Sequence, residues 1–121
     1  IALKFLKNLQ KAMIDSIFSA GFHCIDEFSV FKHNAEGKVS YKYTVADGWL
    51  IGCEIVNLVL IGYNKVLCVQ PFGCMPNHVC GKGIYPSIQR ELQNAQVVSI
   101  DYDSSGSEIN VRNRIRMLLD I

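Results

Sequence analysis

Val66-Leu67-Cys68-Val69-Gln70-Pro71-Phe72-Gly73-Cys74-Met75-Pro76-Asn77-His78-Val79-Cys80-Gly81-Lys82-Gly83 begins as an apolar run and turns abruptly into a segment of Gly, Pro, Cys and His. A short apolar run bounded by turn residues reads as a buried, parallel-type strand. Open α/β sheets keep their sites in the crevice beyond the carboxyl ends of such strands. The loop after Gln70 is therefore where the chemistry is expected. It offers soft ligands in Cys74, His78 and Cys80, and backbone N–H groups at Gly81, Lys82 and Gly83, where a helix is expected to start and an anion could bind.

Working outward, the pattern predicts a helix from Gly83 or Ile84 to Leu92 and a second strand over 97–102, which together with the first strand make a βαβ unit. Upstream, Asp47 is placed to cap a helix running from Gly48 or Trp49 to about Ile61 and stopping at Gly62. This helix is apolar on almost every side, so its neighbours should enclose it. Downstream, Val111, Ile115, Leu118 and Leu119 share a helical face, entered through a capping box of Ser105 and Glu108 or through Ser107 as N-cap. Residues 1–46 are mixed. Leu6, Leu9, Met13 and Ile17 mark one amphipathic helix ending near Gly21, a short helix could start at Asp26-Glu27-Phe28, and 39–45 alternates like a strand. The fold class is α/β: one layered Rossmann- or flavodoxin-like βαβα domain over 1–121, with a small parallel sheet and an N-terminal helical segment.

The chain has 121 residues, half of them hydrophobic, enough for one core. A net charge of +1, evenly scattered, leaves no footprint for nucleic acid or an anionic membrane, and neither is expected as a partner. The longest apolar stretch, 49–63, is broken by Gly52, Glu54, Asn57 and Gly62 and is short for a membrane crossing. Five cysteines, an odd number, with Cys53 and Cys68 inside apolar runs, point to reduced thiols in a cytoplasmic protein, those two filling the core. The first residue is Ile1 and helical periodicity follows at once, so a piece excised from a longer protein is expected.

Other candidates come from position. Glu54 and Asn57, three apart in the apolar helix, should share a face, and Glu54 either marks that helix's polar end or points into a site. Asp101 and Asp103 alternate to one side at the end of the second strand, capping the next loop or edging a site, and Arg114 could reach them, while Arg112 and Arg116 form a solvated face. Cys74 and His78 could pair as a nucleophile, but no third, orienting group is identifiable. Cys74, His78 and Cys80 form an incomplete zinc set unless ligands come from elsewhere. No phosphate loop or dinucleotide fingerprint is present.

The succession 66–78, then Val98-Ser99-Ile100-Asp101-Tyr102-Asp103, then Ser107-Glu108-Ile109-Asn110 and Asn113-Arg114-Ile115 resembles the C-terminal part of the large acyl-CoA dehydratase activase-related proteins. More distantly it looks like the last domain of 2-hydroxyacyl-CoA dehydratase and benzoyl-CoA reductase subunits. The resemblance spans 47–119, a core distinct from the variable segment 1–46. It implies that Cys74 is one ligand of a [4Fe–4S] cluster in the full-length protein, the other ligands coming from other domains, with His78 and Cys80 auxiliary at most. It also implies electron transfer in an anaerobe's cytoplasm, ATP hydrolysis on a separate activase segment or partner, and an acyl-CoA substrate for the parent. The 121-residue piece alone should be inactive and hold no cluster. Two rivals remain: a packing or interaction domain of the same large protein, and a zinc-stabilised module using Cys74, His78 and Cys80.

Overall fold

The computed structural model describes residues 1–24, 27–103 and 106–120. In chain order they form α1 (Ala2–Ser19), α2 (Phe28–Asn34), α3 (Gly48–Leu60), β1 (Lys65–Pro71), a π-helical turn (Pro76–Gly81), α4 (Lys82–Glu91), β2 (Gln96–Tyr102) and α5 (Glu108–Leu119). β1 and β2 pair in parallel, from Lys65 opposite Gln96 to Pro71 opposite Tyr102. Parallel strands need a crossover, and the π turn with α4 supplies it. The order β1, α4, β2, α5 makes the chain α/β at this level, with a two-stranded sheet.

The register decides the faces. With period two, Val66, Cys68 and Gln70 share a side with Val97, Ser99 and Asp101. Val66, Cys68 and Val97 join the main core with Cys53, Ile55, Val56 and Val59 of α3 and Ile84, Tyr85 and Ile88 of α4. α5 packs on both strands, and Ile100 and Leu118 are buried outside that main cluster. Cys53 fills the core as expected, whereas Cys68 is only half-buried.

α3 keeps its expected limits. Asp47 precedes it but makes no side-chain cap, and the chain leaves through Ile61 and Gly62, whose φ of 105° suits glycine. Asn57, buried in α3, donates to the Phe31 carbonyl (2.9 Å) and the Cys53 carbonyl (2.8 Å) and accepts from Asn34 Nδ2 (2.8 Å), which clasps α2 to α3. α2 begins at Phe28 after Glu27; Asp26 lies outside the described residues, as does Ser105 of the expected capping box. Ser107 stands at the N-cap of α5 without a side-chain cap bond.

Two expectations are corrected. Residues 39–45 are not a strand: they run as turns, with the Val39 N–H bonded to the Ala35 carbonyl (3.0 Å) and Thr44 N–H to Lys42 (2.9 Å). Their alternation has another cause, since Val39 is buried in the core and the Tyr41 ring packs edge-on against Trp49 at 5.3 Å. Likewise, 75–81 is not a loop. The chain is helical from Met75, and Pro76 in the first turn loses no bond because N–H groups there lack intrahelical partners.

Among the described residues no helix is long and apolar enough to cross a membrane. α1 follows its expected period to Ser19, yet none of its residues is buried.

Candidate functional site at the carboxyl edge of the sheet

Parallel pairing sets the carboxyl ends of β1 and β2 side by side. Beyond Pro71 the chain reverses through Gly73, whose φ of 74° is open to glycine. The Phe72 N–H donates to the Tyr102 carbonyl at 2.9 Å and the Cys74 N–H to the Pro71 carbonyl at 3.2 Å. The His78 N–H then donates to the Cys74 carbonyl at 2.7 Å, so Cys74 stands at the head of the helical stretch. Cys74 is half-buried, and its sulfur accepts a hydrogen bond from Asn77 Nδ2 at 3.1 Å.

Beside it lies a polar cluster. Gln70, 1% exposed, donates its side-chain amide to Asp101 Oδ1, and Lys82 Nζ donates to Asp101 Oδ2. Lys82 Nζ also lies 3.5 Å from His78 Nδ1, and the His78 ring meets Phe72 edge-on at 6.2 Å. The Lys82 bond is the main reason the Asp101 carboxyl sits below its usual range. Partial burial pulls it upward, while the Gln70 amide and the charges of Lys82 and His78 add to the lowering.

α4 begins at Lys82 but has no free N-terminus there, which corrects the reading of Gly81, Lys82 and Gly83 as an N-terminal anion site. The ladder already runs from Met75, and the Lys82 N–H is bonded to the Asn77 and Val79 carbonyls. Gly81 is needed for close approach, because a Cβ there would lie 2.9 Å from the Tyr85 hydroxyl. Cys80 turns the other way and is 8% exposed, its sulfur 2.9 Å from where a Cβ on Gly48 would stand. It fills a notch on the first turn of α3. Among the described residues no three His, Cys, Asp or Glu side chains come together as a metal's donor set, so Cys74, His78 and Cys80 do not form a ready zinc site. Cys74 stands apart from Cys80, with the Asn77 amide as the donor to its sulfur.

The remaining candidates disperse. Glu54 and Asn57 do not share a surface: Asn57 is enclosed, and Glu54 stays exposed, its carboxyl raised by the protein around it and by Asp47. Arg114 donates to the Ser99 carbonyl at 3.0 Å, where the sequence pointed it toward the two aspartates. Asp103 follows β2, and its carbonyl accepts from the Gly106 N–H at 3.3 Å. Arg112 and Arg116 are exposed as expected.

Sequence reasoning missed Asn77, Gln70 and the pairing of Lys82 with Asp101. A signal existed for Gln70, since it falls on the inward period of Val66 and Cys68, where a polar residue has no ordinary reason to be. The fold and the site together define an α/β unit presenting a half-buried thiol and a charge-paired polar cluster at the carboxyl edge of a parallel strand pair. Comparison of the chain with protein-family models, curated proteins and solved structures found no match.

Proposed function

We propose that this chain is the C-terminal, Rossmann- or flavodoxin-like domain of an iron–sulfur, ATP-driven electron-transfer protein related to 2-hydroxyacyl-CoA dehydratase components and their activases. Cys74 supplies one thiolate to a [4Fe–4S] cluster. The observation that carries this reading is Cys74, half-buried at the carboxyl edge of the sheet with its sulfur already accepting an amide hydrogen from Asn77. A cubane takes four protein ligands, so the others come from other domains of the parent. When bound, the cluster would supply a one-electron carrier at low potential. This chain's part is to hold one sulfur, orient it through Asn77, and keep Lys82 neutralised by Asp101 beside it. ATP would act on a separate activase segment or partner, the parent's substrate would be an acyl-CoA, and the setting an anaerobe's cytoplasm.

A reading as a packing domain also has support. Phe72 (64% exposed), Met75 (60%) and Val79 (61%) flank Cys74 and lack cover, as do the apolar residues of α1. A surface that docks onto cluster-bearing domains would need both features, so the two readings differ only in whether Cys74 ligates. The test is Cys74→Ser in the anaerobically purified full-length protein. Loss of most of the iron and acid-labile sulfide with an unchanged melting temperature supports ligation. Unchanged iron, sulfide and electron transfer would leave only the packing role.

A further inference from the structure

Gln70 is 1% exposed on the core-facing side of β1, in line with Val66 and Cys68, yet its Oε1 has no hydrogen-bond partner. The other buried side-chain oxygen without one, among the described residues, is the Tyr85 hydroxyl, which lies by the Cys68 thiol on the same side of the sheet without a well-formed hydrogen bond. A methionine would fill the Gln70 position at similar volume and leave no orphaned acceptor. What glutamine supplies and methionine cannot is the amide held on Asp101.

From that amide a path of contacts leads to the backbone of Cys74. Asp101 Oδ2 accepts from Lys82, Lys82 Nζ sits 3.5 Å from His78 Nδ1, and the His78 backbone N–H closes on the Cys74 carbonyl at 2.7 Å. The path ties the end of β2 to two successive turns of the helical stretch, from inside the sheet. We propose that Gln70 is the positioning residue of this edge: by fixing Asp101, and through it Lys82 and His78, it holds the turn that presents the Cys74 sulfur. This deepens the cluster-ligand reading and rests on it for its purpose, but the positioning itself is a property of the thiol in this chain.

The test therefore uses the cluster-free 121-residue chain. Gln70→Met should raise the rate of Cys74 alkylation by iodoacetamide on the order of fivefold, with a matching rise in hydrogen exchange at the His78 amide, as expected for local opening of one turn. Cys53, fully enclosed in α3, serves as the reporter of global opening and should stay unreactive, with the melting temperature unchanged. Asp101→Asn, which leaves the core intact, should reproduce the effect should Gln70→Met fail to fold. An unchanged Cys74 rate in both variants, or Cys74 and Cys53 rates rising in proportion, would overturn the proposal. Neither outcome bears on iron binding by the full-length protein, so failure of the cluster reading shows separately, as iron retained in Cys74→Ser.

Discussion

α1 and α3 are both helices rich in apolar residues, and they end in opposite surroundings. α3 has 13 residues, more than half of them buried, and contributes Cys53, Ile55, Val56 and Val59 to the core. α1 has 18 residues, none buried, with Leu6 57%, Leu9 48% and Met13 60% exposed. The difference lies in what each helix finds within the chain. α3 is held between α2 and the sheet and its crossover, and its one buried amide is fully satisfied. The only side-chain ion pair on α1 among the described residues is Lys11 with Asp15 at 3.0 Å, along its own surface. Periodicity thus specifies a helix and its sticky side, but not the partner.

The largest effect that sharpens this contrast is expected at Asn57. Asn57→Leu keeps the branched shape, at a larger volume, but strips a partner from the Phe31 carbonyl and from Asn34 Nδ2. Orphaned buried groups cost about 1–3 kcal/mol each, so a loss of about 3 kcal/mol in urea unfolding is expected. An unchanged midpoint would mean that the α2–α3 clasp is not what fixes α3 in place.

A smaller, pH-dependent effect follows from Cys53. Burial first, and the nearby Glu54 charge second, push its thiol up from 9.0 to about 11. The unfolded chain therefore releases this proton at lower pH than the folded one. The stabilisation is fully present below pH 9.0 and declines as pH climbs through about 11. Tyr41, Cys68 and Tyr85, each raised chiefly by burial, add in the same direction. Chemical denaturation between these pH values should show falling stability, and Cys53→Ala should flatten its share of the slope. An identical slope in the variant would contradict the enclosed thiol that sets α3 apart from α1.

The same contrast shows how far the sequence could be read. α3, β1 and β2 were legible because predominantly apolar runs ended at Gly62, Pro71 and Asp103, and parallel pairing followed from the intervening helical period. The π turn was not. Pro76, Gly81 and Gly83 signal a loop locally, while the fit of Cys80 against Gly48 and of Gly81 beneath Tyr85 is a tertiary fact. Residues 39–45 misled because alternation records burial, and Val39 and Tyr41 found theirs without a ladder. At the site, Cys74 could be chosen by its place after a strand. The link from Gln70 to Asp101 and Lys82 needed the register that puts residues 31 apart in sequence side by side.

The smallest effect is expected on α1. Met13→Ser removes an apolar side chain that is already 60% exposed and adjoins no buried residue of its own helix, so little apolar burial is lost. Serine is a slightly poorer helix former than methionine, a difference of a few tenths of a kcal/mol in an exposed helix, so unfolding stability should stay within about 0.5 kcal/mol of the parent chain. Calorimetry on the 121-residue chain checks this directly. A loss of about 2 kcal/mol or more, the scale of a buried side chain, would place Met13 against a covering surface in solution and remove the distinction between α1 and α3. A null effect on stability would leave the stripe outside what holds this fold together, which is the distinction between α1 and α3.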